Sequence, residues 1–256
     1  MTIEHLKSFA IKLMEAPPGY KSRNQEINIK LLSNHISSIQ DLKQAVLLDC
    51  GCGMGENIIK IKKKLPEIGK IIGIDNYEPS VEICNAKYSK DAEFILGDCL
   101  DMPIDSKSVQ VIISNQVIEH ISQYEKYINE MRRVLFPGGL LVISTPNAHC
   151  PKNVFIKLIG KQPILRWSNQ QNLPPAEYRG HTQEFSEKEL IDLMIEAGFS
   201  LLEIHPIQPK YYWDGNIWFN LYSLVEYIFY KMSKPFVAPG YSKNSNMIFQ
   251  LVDNQS

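Results

Sequence analysis

The sequence predicts an α/β chain organised on a doubly wound, mainly parallel sheet. Short aliphatic runs recur at Val46-Leu47-Leu48-Asp49, Ile71-Ile72-Gly73-Ile74-Asp75 and Val109-Gln110-Val111-Ile112-Ile113-Ser114, as expected of strands buried on both faces. Stretches with apolar residues at three- and four-residue spacing separate them, which is the signature of crossover helices. The first run opens directly into Gly51, Gly53 and Gly55 and then a helical pattern, so a strand, a glycine turn and a helix follow one another at what becomes the carboxyl edge of the sheet.

Taken in order, Leu6, Phe9, Ala10 and Leu13 predict a short amphipathic helix stopped by Pro17-Pro18-Gly19. A second helix is expected over 24–40, with Ile27, Leu31 and Leu32 on one side. After the glycine turn, Ile58, Ile61 and Leu65 form the apolar face of a helix over 57–65. Lys62, Lys63 and Lys64 fall in its last turn, where they offset the negative end of the helix dipole; the sharper reading is a nucleic-acid patch. The second strand ends at Asp75, and a helix starting near Pro79 presents Val81, Cys84 and Tyr88. Ala92-Glu93-Phe94-Ile95-Leu96-Gly97-Asp98-Cys99 reads as a third strand and turn, and 109–114 as a fourth strand.

Ser122-Gln123-Tyr124-Glu125 has the spacing of a capping box, opening a helix with Tyr127, Ile128, Met131, Val134 and Leu135 inward. Phe136-Pro137-Gly138-Gly139 ends that helix, and 140–144 is the fifth strand. A long insertion follows over 146–184, with a short helix at 154–159. Ser186-Glu187-Lys188-Glu189 is a second capping box, opening a helix that runs to Ala197 and stops at Gly198. The sixth strand covers 201–207. A further insertion holds Tyr211, Tyr212, Trp213, Trp218, Phe219 and Tyr222 and an apolar helix over 217–231. The last strand, 246–253, is read as antiparallel at or near the sheet edge.

Composition narrows the function classes. With 27 basic and 28 acidic residues the formal net charge is −1, so no global field draws nucleic acid. Cys50, Cys52, Cys84, Cys99 and Cys150 are expected to be reduced thiols in a cytoplasmic protein; Cys50-x-Cys52 has no second pair at zinc-site spacing, and no metal site is expected. Residues 1–15 carry Glu4, Lys7 and Lys12, which interrupt any signal-peptide core. No apolar stretch approaches the roughly 20 residues of a membrane span.

The glycine spacing discriminates between nucleotides. A dinucleotide fingerprint needs glycines at its first, third and sixth positions, whereas the sixth position here is Glu56 and the third glycine is Gly55. Asp75, twenty residues after Gly55, ends the neighbouring strand, where a carboxylate can accept hydrogen bonds from both hydroxyls of a ribose; alternatively Asp75 or Asn76 caps the next helix. Asp98 can accept from an adenine amino group, with the Cys99 N–H serving a ring nitrogen, or it simply caps a turn.

Asp49-x-Gly51-x-Gly53-x-Gly55, Asp75, Gly97-Asp98, the loop Asn115-Gln116-Val117-Ile118-Glu119-His120 and Leu135-Phe136-Pro137-Gly138-Gly139 together resemble the class I S-adenosylmethionine (SAM)-dependent methyltransferases of small-molecule type, similar to ubiquinone-pathway O-methyltransferases. The resemblance covers roughly 45–144, with weaker echoes in 184–199 and the last strand. It implies a Rossmann-like, doubly wound seven-stranded sheet with six parallel strands and the last antiparallel. One domain would span 1–256: a helical N-terminal lid (1–44), a cofactor-binding core (45–145) and substrate-side insertions at 146–185 and 208–245. The implied cofactor is SAM, released as S-adenosylhomocysteine (SAH). It would be held by Asp49, Gly51, Cys52, Gly53 and Gly55, by Asp75 and Asn76, by Asp98 and Cys99, and by Asn115. Base methylation of nucleic acid is disfavoured, because the post-strand loop lacks the proline and aromatic that grip a flipped base.

The resemblance implies a small-molecule methyl acceptor, without nucleic acid and without stable membrane insertion. A hydroxyl acceptor needs a general base. His181 ranks first, in His181-Thr182-Gln183-Glu184-Phe185, with His120 and His149 as the other candidates; each can instead bond a backbone carbonyl and hold a loop. Tyr20 and Arg23 either lie on the surface or reach the methionine end of the cofactor. The aromatic set 211–222 lines an acceptor pocket, or is a packing face or homodimer surface. N- or C-methylation, a nicotinamide oxidoreductase and a non-catalytic binding module of the same fold remain the alternatives.

Overall fold

A computed structural model describes residues 20–150, 153, 181–207 and 244–252, with side chains described from residue 24 and, in the third stretch, through residue 205. The expected helices at 6–13, 154–159 and 217–231, the aromatic set 211–222, most of both insertions and the side chains of Tyr20 and Arg23 lie outside the described residues.

The order of elements is α1 (Tyr20–His35), β1 (Val46–Cys50), α2 (Glu56–Lys64), β2 (Lys70–Asp75), α3 (Glu78–Tyr88), β3 (Glu93–Leu96), β4 (Val109–Asn115), α4 (Tyr124–Val134), β5 (Leu135–Pro146), α5 (Glu187–Glu196), β6 (Phe199–Ile207) and β7 (Asn244–Leu251). They build one seven-stranded sheet in the order β3-β2-β1-β4-β5-β7-β6. β1 pairs in parallel with both β2 and β4, whereas β7 runs antiparallel between β5 and β6. The expected fold class is therefore the observed one, and the last strand sits one place in from the edge. Strand order reverses between β1 and β4, and a doubly wound sheet opens its ligand crevice at that point.

Both faces of the sheet are covered, which explains why the strands lack polar alternation. Leu48, Ile72, Ile74 and Ile112 point into one core with Tyr127, Ile128 and Met131 of α4 and Leu190 and Met194 of α5. Their neighbours Leu47, Ile71, Val111 and Ile113 point into the other, with Leu31 and Leu32 of α1 and Ile58 and Ile61 of α2. The period-two switch of faces along each strand thus divides one aliphatic run between two cores.

The capping box at Ser186 forms: its Oγ accepts from Glu189 N at 3.2 Å, and Ser186 N donates to Glu189 Oε2 at 2.8 Å. The one expected at Ser122 does not, since α4 starts two residues later with Gln123 at its N-cap and no side-chain bond there. β5 also starts earlier than expected, at Leu135. The Phe-Pro-Gly-Gly segment is absorbed as an irregularity, because Val109 pairs with Leu135 and Val111 with Leu140. Among the described residues no helix is long and apolar enough to cross a membrane.

Candidate functional site

At the carboxyl ends of β1, β2 and β4 lies a cleft of about 850 Å³, lined among others by Gly51, Gly53, Asp75, Asn76, Asp98, Cys99 and His120. Its floor is the glycine turn. Gly51 and Gly55 hold φ of 64° and 74°, a left-handed conformation that costs other L-residues about 1–2 kcal/mol. A Cβ on Gly51 would sit 2.7 Å from Val117 Cγ2, and one on Gly55 would press on Cys84, Tyr88 and Phe94. Gly51 therefore keeps the turn close to the loop after β4, and Gly55 lets α2 start against α3. At Gly53 a Cβ would meet nothing within 4 Å, so that stretch of backbone faces open cleft.

Asp75 ties the turn to the second strand. Its Oδ2 accepts from Gly53 N at 2.8 Å and its Oδ1 from Tyr77 N at 2.9 Å. Tyr77, not Asp75 or Asn76, occupies the N-cap of α3, and no side chain caps it. Each carboxylate oxygen retains acceptor capacity beyond its backbone bond. Asp98 Oδ1 accepts from Leu100 N at 2.9 Å. The turn-capping role considered for Asp98 is thus present, and the residue also lines the cleft.

Four expected site residues stand behind the lining. Asp49 is buried, with its Oδ1 held by Asn57 Nδ2 at 3.0 Å and its Oδ2 without a hydrogen-bond partner. Burial, reinforced by the charge of Asp75, pushes its carboxyl up to about 7 despite the Asn57 bond. Cys52 is buried and its N–H donates to Ile74 O at 3.0 Å. Gly55 starts α2. Asn115 Oδ1 accepts from Asn28 Nδ2 at 3.0 Å and Ser144 Oγ at 2.8 Å, while Asn246 Nδ2 donates to Asn28 Oδ1 at 2.5 Å. This polar cluster fastens α1 to β4, β5 and β7.

The other end of the cleft is made by the loop after β4. Gln116 has φ 59°, its N–H donates to Ser144 O at 2.9 Å, and residues Ile118–His120 form a 3-10 turn. The segment before α5 is stitched onto that turn: Thr182 N donates to Glu119 O at 2.8 Å and Gln183 Nε2 to Ile121 O at 2.9 Å. His181 and His120 consequently meet edge to face, with ring centroids 5.0 Å apart. His120 lines the cleft, whereas His181 is 8% exposed behind it, its Nδ1 3.1 Å from Glu184 Oε1. His149 lies exposed after β5 and is not part of the cleft lining.

Glu119 belongs to the loop motif 115–120, but its setting is not legible there. It is completely buried; Oε2 accepts from Thr145 Oγ1 at 3.1 Å and Oε1 has no hydrogen-bond partner. Burial pushes its carboxyl up to about 8. Ligand-capable atoms of Glu119, His120 and His181 lie within 4.8 Å of one another, a grouping missed in the sequence because the residues stand about 60 positions apart. Glu184, Val117, Gln116, Tyr77 and Ser80 were likewise missed. For Glu184, the His-x-x-Glu spacing was the one available signal.

Comparison with known proteins points the same way. The family model described as "Methyltransferase domain" matches residues 41–197. A probable S-adenosylmethionine-dependent methyltransferase of Mycolicibacterium smegmatis is 27% identical over 186 residues, covering 73% of this chain and 62% of that protein. A ubiquinone biosynthesis O-methyltransferase of Pelagibacter ubique is 29% identical over 171 residues, covering 66% of this chain and 67% of the relative. Two Mycobacterium tuberculosis relatives are covered over 46% of their length, so the chain spans about half to three fifths of the first curated relatives it matches. In fold, it resembles the Burkholderia thailandensis 1,6-didemethyltoxoflavin-N1-methyltransferase solved with bound 1,6-didemethyltoxoflavin and S-adenosylhomocysteine, at TM-score 0.55 and 14% identity over 90% of this chain and 79% of that one.

Proposed function

The chain belongs to the methyltransferase-domain family, and from that premise we propose that it transfers the methyl group of SAM to a hydroxyl of a small-molecule acceptor. The observation that carries the reading is the continuity of one cleft from Gly51, Gly53, Asp75 and Asp98 to His120. The residues fit the cofactor. Bare backbone at Gly53 leaves space that a side chain would occupy, and Asp75 stands at the crevice with acceptor capacity to spare for ribose hydroxyls. Asn76, Asp98 and the Cys99 N–H extend the same wall toward the base, while Asp49, Cys52, Gly55 and Asn115 hold the wall from behind.

When bound, SAM supplies an electrophilic methyl on a sulfonium. The chain's part is to align the acceptor oxygen with that methyl, to exclude water and to take one proton. His120 reaches the cleft and is the group placed to accept the acceptor's proton on a ring nitrogen. His181, paired with Glu184, fixes the ring behind it. This reverses the rank of the two histidines expected from the sequence. The N-terminal lid and the two insertions are proposed to complete the acceptor side within the same domain.

Calorimetric titration of the full chain with SAH and with NAD+ tests the cofactor half; binding of NAD+ in preference to SAH would overturn it. Transfer of labelled methyl from SAM to a panel of hydroxylated, aminated and activated-carbon acceptors tests the rest. Mass spectrometry of the product places the methyl on oxygen if the reading is right, and on nitrogen or carbon if it is not.

A further inference from the structure

We propose that Glu119, His120 and His181 bind a divalent transition-metal cation, Zn2+ foremost, at the His120 end of the cleft. Two imidazoles and one carboxylate are a donor set suited to Zn2+ and its first-row neighbours. Their ligand-capable atoms already lie within 4.8 Å of one another. Bonds of about 2.0–2.2 Å would bring them to about 3.3–3.6 Å apart, so each side chain need move inward by less than an ångström.

Two further observations point to a ligand. Glu119 Oε1 is a fully buried acceptor with no hydrogen-bond partner, although the other oxygen is held by Thr145. Leaving a buried acceptor unpaired is costly, and a proton relay would bond it to one of the rings; Asp49 Oδ2 is orphaned too, but among the described residues only the Glu119 carboxylate stands in a group of potential ligands. The second observation is the Glu184 Oε1 contact, 3.1 Å from His181 Nδ1. Metal-binding histidines commonly give one ring nitrogen to a carboxylate, which fixes the tautomer and turns the other nitrogen to the cation.

Three protein ligands leave at least one coordination position for water or another oxygen, and His120 places that position at the cleft. The cation site stands without the proposed methyl transfer, whereas its consequence for the acceptor rests on it: the acceptor would present a hydroxyl, or two adjacent ones, as a metal ligand. The cation would lower that hydroxyl's pKa, and the imidazoles would serve as ligands in place of a direct base.

The test uses the full chain, stripped with a chelator, dialysed and titrated with Zn2+ by calorimetry and with Co2+ by visible absorption. One equivalent should bind with micromolar or tighter affinity and give Co2+ bands that respond to ligand substitution. Glu119→Gln and His181→Ala should each weaken binding by more than about 100-fold, and Glu184→Gln by about 10- to 100-fold. SAH titration of the same samples reports whether each variant is folded, and His120→Ala replaces His181→Ala if the latter is not. Wild-type chain that takes up no equivalent, or ligand variants that bind Zn2+ like wild type, would overturn the site. Zn2+ binding without SAH binding would retain the site and remove the methyltransferase reading; SAH binding without Zn2+ binding would do the reverse.

Discussion

The two ends of the cleft are built from different materials. The end at β1 and β2 is mostly backbone: a positive-φ turn, exposed peptide at Gly53 and one carboxylate, Asp75, engaged by two N–H groups. The end after β4 is mostly side chain, with a buried glutamate, two histidines meeting edge to face and a second glutamate contributed by a segment about 60 residues further on. Backbone recognises a constant partner by shape, because any side chain would intrude. Ionisable side chains supply chemistry, and their arrangement depends on long-range contacts. The proposed function draws on that difference, with SAM at the backbone end and the acceptor at the side-chain end.

That comparison can be broken by experiments that touch one end at a time. The largest effect is expected from His120→Ala, which should lower turnover by about 10²–10⁴-fold while leaving SAH affinity unchanged; a parallel loss of SAH affinity would show that the ends are not separable. Asp75→Ala should act in the opposite sense, weakening SAH binding by about 100-fold, from two hydrogen bonds to a charged acceptor at about 1.5 kcal/mol each. Unchanged affinity in calorimetry would remove Asp75 from the cofactor wall.

A third experiment follows from Asp49, whose carboxyl is raised to about 7 by burial. The native state binds that proton more tightly than the unfolded chain does, so the associated stability is complete at acid pH and is lost as pH rises through about 7. The slope is about 1.4 kcal/mol per unit between the two pKa values, or roughly 2–3 kcal/mol from pH 5 to pH 7. Glu119 is shifted in the same direction, so the readout is the difference between wild type and Asp49→Asn in denaturant unfolding at the two pH values. The variant should show the shallower loss; parallel curves would contradict the assignment. Smallest is Gly51→Ala, expected to cost about 1–2 kcal/mol in backbone strain plus the clash with Val117. Adding Val117→Ala should restore the clash portion alone, and a double-mutant cycle with no coupling would show that the turn does not rest on that side chain.

The same contrast explains what could be read in the sequence. That Gly51, Gly53 and Asp75 meet at one end of the cleft was legible because the determinants are local: an aliphatic run, alternating glycines and an acid ending the next strand, all close in sequence. The Ser186 capping box was legible for the same reason, since the bonding partners are three residues apart. The Ser122 box shared that spacing and failed, as the loop 116–121 is held by Ser144, Thr182 and Gln183, and α4 begins where those contacts end. His181 could be suspected but not placed. Only the stitching of residues 181–185 to the 3-10 turn decides that it stands behind His120, beside an orphaned carboxylate oxygen. The resemblance implies a cofactor role for Asn115; the structure adds that its side-chain oxygen accepts from Asn28 and Ser144, partners no local pattern reveals.

The position of β7 has a consequence for the order in which this molecule can be assembled. Among the described residues, β6 pairs with no strand but β7, which also covers the flank of β5 and carries Asn246 into the cluster that holds α1. While residues 244–251 are still to be synthesised, β5 and β6 each lack, among the described residues, the strand that pairs with them on that side, and α1 lacks one of its polar anchors. The β3-β2-β1-β4-β5 part of the sheet can therefore pair without that segment, while the opposite flank must wait for residues made some hundred positions after β5. Nascent chains released before that point would present an open hydrogen-bonding ladder to one another.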